Sequence, residues 1–107
     1  MDEIKKIKEL REKVIEKLKT IYDPEILANI YDLGLIYGVD VDKEGNTFIL
    51  MTFTSPNCPA IQSMPDEIKE KTSSIDEIAF VEIEITWEPP WNENMMTEEA
   101  KLEAGLL

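Results

Sequence analysis

A single cysteine, Cys58, is the strongest nucleophile and softest metal ligand that the sequence offers, and no histidine is available to assist it. Cys58 is followed by Pro59, and a helical pattern begins there. Proline is favoured at the first helical position, which makes Cys58 the expected N-cap. Its sulfur would then face the unpaired N–H groups and the positive end of the helix. That setting favours the thiolate, the form that binds metal or attacks an electrophile. The competing reading is a small buried hydrophobe, the usual fate of a lone cysteine. Three carboxylates, Asp23, Glu25 and Asp32, lie around an Asp-Pro turn and Gly34. They can ligate a metal or hydrogen-bond a thiol. Asp23 also fits as a cap ahead of Pro24, and Asp32 as support for the turn at Gly34. Glu25 has no evident structural task, which makes it the better candidate ligand. Thr52 and Thr54 are expected on one side of a strand that runs into the cysteine loop. They suit hydrogen bonding around Cys58, and equally an ordinary role as β-branched strand residues. Pro89-Pro90-Trp91 is stiff and extended, with an aromatic at its end. It suits a partner-docking surface, and equally a lid folded back on the core.

Several chemistries are excluded. Without histidine there is no Cys–His pair and no Ser–His–Asp triad. With one cysteine there is no internal disulfide, no zinc finger and no complete four-cysteine cluster site within one chain. No glycine-rich phosphate loop occurs. The net charge is −12. Residues 1–20 hold seven of the eleven basic and five of the 23 acidic side chains, so they carry +2; the rest carries −14. So acidic a surface repels phosphate backbones, which argues against nucleic acid, and it steers toward basic partners or simply maintains solubility. No apolar run approaches the ~20 residues of a membrane span, and the N-terminus does not read as a signal peptide. A cytoplasmic protein is the expectation.

The elements that must position these residues are legible from periodicity. Ile4, Ile7, Leu10, Val14, Leu18 and Ile21 recur at three- and four-residue steps, predicting an amphipathic helix over 3–20 that Asp23-Pro24 ends. Residues 35–41 and 46–54, joined by Asp42-Lys43-Glu44-Gly45, read as a β-hairpin. A helical stretch follows over 59–71, with Ile61, Met64 and Ile68 inward. Pro65 sits inside it, so a broken helix is expected, with Ser63 capping the restart. Residues 80–87 alternate strictly, as in a strand with one wet face. Thr97 is the expected N-cap of a last short helix. The whole predicts one α/β domain over 1–107: a two-layer sandwich of about three strands with helices on one face, in α-β-β-α-β-α order.

The order Asp23-Pro24-Glu25, Asp32-Leu33-Gly34-Leu35-Ile36-Tyr37, Met51-Thr52-Phe53-Thr54, Cys58-Pro59, Pro89-Pro90-Trp91 and a short Thr-Glu-Glu-Ala helix resembles the SufT/PaaD-like family of iron–sulfur assembly factors. That family is related to a subunit of the eukaryotic cytosolic targeting complex. The resemblance runs from about Val14 to the C-terminus. It implies an α/β fold and a role in iron–sulfur protein maturation, not enzymatic turnover. The family's characteristic positions fall on Asp23, Pro24, Glu25, Asp32, Gly34, Thr52, Thr54, Cys58 and Pro59, with the cysteine as the reactive or cluster-binding residue. The phenylacetate-oxygenase branch carries further C-terminal cysteines; this chain lacks them and resembles the short stand-alone branch. The implied cargo is iron or an iron–sulfur cluster held transiently by Cys58, with Glu25 as a weaker oxygen ligand. A cluster needs about four protein ligands. The remainder must come from a homodimer, an external thiol or a client apo-protein. The expected partners are assembly proteins and such clients. The alternative role is a metal-free adaptor; a thiol enzyme is disfavoured by the absence of histidine.

Overall fold

The predicted apolar stripe of the first helix buries Leu10, Val14 and Leu18 in α1 (Asp2–Leu18), whereas Ile4 near its start stays exposed. The computed structural model describes residues 2–24 and 26–106. After α1 come β1 (Ile36–Val41), β2 (Asn46–Met51), α2 (Ala60–Ser73), β3 (Phe80–Ile85) and α3 (Glu98–Glu103), with a single 3₁₀ turn at Glu93–Met95 before α3. The predicted order and two-layer architecture are present. β1 pairs antiparallel with β2, and β2 pairs parallel with β3, so β2 is central. The parallel pair requires a crossover, which α2 supplies.

Register sorts the side chains into two faces. The rows Val41–Thr47–Val81 and Val39–Ile49–Ile83 lie on the inner face, packed under the helices. The rows Asp40–Phe48–Glu82 and Gly38–Leu50–Glu84 lie on the outer face, with Phe48 and Phe80 about half exposed and their rings edge to face at 6.3 Å. The even alternation expected of residues 35–41 is broken by a bulge. The register shifts between Ile36 and Gly38, leaving Tyr37 as the extra residue. A bulge turns its side chain off the sheet face, and the Tyr37 hydroxyl donates to the Pro89 carbonyl at 2.7 Å. Trp87, the last residue of the alternating run 80–87, lies beyond the strand and is exposed, leaning on the Phe53 ring at 6.4 Å.

Two further expectations need correction. α2 is not broken at Pro65; it is one helix of 14 residues, with Ser63 exposed. Proline there removes only the bond that its N–H would give to residue 61. That site is in the second turn, with little helix ahead of it for a kink to displace. β2 also ends sooner than expected, at Met51, so Thr52 and Thr54 belong to the following loop.

The hairpin turn is closed by Asp42. Its Oδ1 accepts from the Glu44 and Asn46 backbone N–H groups, and its Oδ2 from the Asn46 side chain, all at 2.9 Å. Gly45 has φ +87°, and its carbonyl accepts from Ala79 N–H at 2.9 Å, tying the turn to the start of β3. A Cβ at Gly45 would run into the Glu77 carbonyl oxygen, which is backbone and cannot step aside.

Gly45→Ala should therefore destabilise the fold by at least about 1–3 kcal/mol, read from urea unfolding with an unchanged m-value. Asp42 gives a pH signature. Bonds from the Asn46 side chain first, and from backbone N–H groups next, hold its carboxyl below the ordinary 3.8. The stability this contributes is complete above pH 3.8, the unfolded value, and is lost as pH falls through the lower folded one. Asp42→Asn should melt below wild type near neutrality, and the gap should narrow steadily as melts are taken further below pH 3.8.

Candidate functional site

Strand polarity gathers most of the candidate residues at one end of the sheet. Because β1 is antiparallel to β2 and β3 parallel to it, β1 begins where β2 and β3 end. Two bonds close this rim: Thr52 N–H to Leu35 C=O, and Thr86 N–H to Met51 C=O, both 2.8 Å. The turn at Gly34, the loop holding Thr52, Thr54 and Cys58, and the segment from Glu88 to Trp91 therefore all depart from the same edge.

The Asp23–Asp32 stretch is a folded loop. Asp23 is buried, its Oδ1 accepts from Ile26 N–H at 3.0 Å, and its N–H donates to Ala28 C=O at 3.3 Å. This is the capping geometry expected ahead of Pro24. Glu25, the expected oxygen ligand, lies outside the described residues. Asp32 is held by a partner that the sequence reading missed. Asn29 Oδ1 accepts from Asp32 N–H, and Asn29 Nδ2 donates to Asp32 Oδ2, each at 2.8 Å. The first bond is the i, i+3 side-chain cap of an Asx residue and the second joins the two side chains; the Asn-x-x-Asp spacing was the signal for it. Gly34 has φ +82°, and a Cβ there would stand 2.5 Å from the Met95 carbonyl oxygen. Glycine is required on both counts.

The C-terminal segment straps this turn down. Trp91 folds back, its indole N–H donating to Leu33 C=O at 2.7 Å, while Pro89 and Pro90 remain exposed. Thr97 N–H donates to Asp32 C=O at 2.9 Å, and Met96 and Ala100 are buried. Thr97 caps α3 as expected, accepting from Ala100 N–H at 3.1 Å. Burial raises the Tyr37 phenol above its ordinary pKa, so it stays a hydroxyl donor to Pro89 at neutral pH.

Cys58 lies just before α2. The N-cap is Pro59 and not Cys58, so the thiol stands one residue further from the helix than expected. The Cys58 carbonyl accepts from Ile61 N–H at 3.2 Å, and the Pro59 carbonyl from Gln62 N–H at 3.4 Å. These turn bonds take up two of the N–H groups that were expected to face the sulfur. No acid occupies the first turn of α2, which leaves its positive end uncompensated from within the helix. Cys58 is 5% exposed and packs with the core. Pro56 and Asn57 ahead of it are exposed, in a turn where Cys58 N–H reaches Ser55 C=O at 3.1 Å. Thr52 is fully buried and Thr54 partly so. Among the described residues, no three of cysteine, aspartate and glutamate come together as a metal site. Asp23, Asp32 and Cys58 thus share a region without forming a chelate.

Residues 11–85 match the model of a family described as iron–sulfur cluster assembly protein. An Fe-S protein maturation auxiliary factor of Porphyromonas gingivalis is 48% identical over 96 residues, spanning 90% of this chain and 91% of that protein. The Fe-S protein maturation auxiliary factor SufT of Staphylococcus aureus is 41% identical over 86 residues, 80% of this chain and 98% of that one. A crystal structure of a domain of unknown function from Bacillus anthracis superposes with a TM-score of 0.87 at 32% identity, covering 94% of this chain and 95% of that one. The family model spans most of the chain, and these relatives match it over most of their own length at 32–48% identity: the chain belongs to the iron–sulfur cluster assembly protein family and is similar to SufT.

Proposed function

We propose that this protein matures iron–sulfur proteins as a non-enzymatic factor, with iron or a cluster as transient cargo on Cys58. The observation that carries the reading is the position of the chain's one thiol. It stands between an exposed turn and the uncompensated positive end of a 14-residue helix. A thiolate formed there would lie near that positive end. One thiolate supplies about a quarter of a cluster's ligands. The remainder would come from a client's own cysteines or a second copy, and so few own ligands make release easy. That suits a cytoplasmic carrier that hands cargo on. Access to the sulfur requires neighbouring groups to move aside, because Cys58 is buried.

That burial also favours a second reading: an adaptor that docks clients or assembly proteins without binding metal. With Cys58 in the core and no three-ligand cluster among the described residues, the thiol would then serve packing alone.

Two measurements separate them. Anaerobic incubation with iron and sulfide should leave both bound to wild type and to neither degree in Cys58→Ala, whose melting transition should fall by no more than that of a ~1 kcal/mol change. A folded wild type that retains no iron would leave only the adaptor. Separately, alkylation of Cys58 by iodoacetamide should be at least about tenfold slower in the native protein than in urea, and loading with iron should slow it further. Equal rates with and without iron would remove Cys58 from the carrier.

A further inference from the structure

The sheet has two edges, and they are protected differently. On β1 the Tyr37 bulge interrupts the ladder, and Arg11 reaches across from α1, its Nε donating to Val39 C=O at 2.9 Å. Both devices block another strand from pairing there. The β3 edge has neither. β3 is regular along its length and neighbours only β2. The N–H groups of Phe80 and Thr86 point to the β2 side. Strand alternation therefore turns those of Val81, Ile83 and Ile85 outward. Among the described residues, nothing pairs with them.

The side chains along this edge specify what could. On the outer face Glu82 and Glu84 are exposed, and neither they nor Asp40 has a cationic partner among the described residues. On the inner face Ile83 and Ile85 are only half buried, so the apolar layer under α2 stops short at the edge. A second copy of β3 pairing antiparallel would set Glu82 and Glu84 of one chain against those of the other. Like charges directly opposite disfavour that pairing. A strand with Lys or Arg on its outer face and aliphatic residues on its inner face meets both requirements. Its cations would sit in the cross-strand positions beside Glu82 and Glu84. Its aliphatic side chains would extend the row of Ile83 and Ile85.

We propose that the β3 edge accepts an extended segment of a partner protein with alternating basic and aliphatic residues, as a fourth strand. The carboxylates that prevent self-pairing are then the ones that select the partner. The site is built from β3 residues and does not include Cys58.

The probe is a short acetylated peptide alternating valine and lysine, with a valine–glutamate peptide as control. Both are titrated by fluorescence anisotropy, with hydrogen exchange of the protein followed residue by residue. The expected result is slowed exchange at Val81, Ile83 and Ile85 with the lysine peptide alone. The Glu82→Lys/Glu84→Lys variant should bind the lysine peptide about tenfold more weakly and gain affinity for the glutamate peptide. Cys58→Ala should bind as wild type does, so failure here is distinct from failure of the carrier reading. Binding without protection of these three amides, equal binding of both peptides, or no binding would overturn the proposal. So would the same protection in concentrated protein without peptide. The comparison of the two peptides on wild type needs no variant to fold.

Discussion

Leu35 and Met51 each accept one backbone hydrogen bond at the same end of the sheet, from Thr52 and from Thr86. Their positions follow from opposed polarity across β2: antiparallel on one side, parallel on the other. Once that pairing is set, the start of β1 and the ends of β2 and β3 must share a rim. The Asp-Pro loop, the cysteine turn and the Trp91 segment are far apart in sequence, yet each is spliced directly into that rim. The helices need only cover the opposite face. α2 serves twice, as the crossover that makes the β2–β3 pairing parallel and as the element that brings a positive helix end up to the cysteine turn.

Much of this was legible in the sequence because the physics involved is local or periodic. The apolar stripe of α1, the Asp42–Gly45 turn, the alternation of β3 and the Thr97 cap each depend on residues within a few positions of one another. What was illegible depends on where pairing partners lie. The bulge at Tyr37 is a mismatch between two strands, and nothing within residues 35–41 reveals it. The end of β2 at Met51 is decided by where β1 begins. The N-cap moved to Pro59 because the chain closes two i→i+3 turns on the Cys58 and Pro59 carbonyls before the helix proper. Pro65 misled because a per-residue penalty was read without its place in the helix. At the site, the capping role of Asp23 was readable. The lock of Asn29 on Asp32 was readable in principle from its spacing, but it sat beside a more conspicuous Asp-Pro-Glu.

Relatives of this chain are named for iron–sulfur protein maturation, while the geometry bears on how much of such work this chain's own side chains could do. A permanent cofactor site would bring several ligands into one cage, and here the described acids are engaged in holding loops. Asp23 and Asp32 each commit one carboxylate oxygen, to the Ile26 N–H and to the Asn29 side chain. What remains is one buried thiol and a frame of loops tied to the rim. Such a frame is suited to presenting a ligand or a surface, with the rest of the coordination supplied from outside.

The strap from Trp91 to Thr97 carries a consequence for biogenesis. It closes over Leu33, Gly34 and Asp32, residues that leave the ribosome well before it. A nascent chain that has emerged only through β3 can assemble the sheet, but its Asp32 turn still lacks the cover that pins it. Synthesis proceeds at roughly 5–20 residues per second. For the seconds that separate the two segments the rim is unfinished, and a chaperone or protease meets it in that form before any client does.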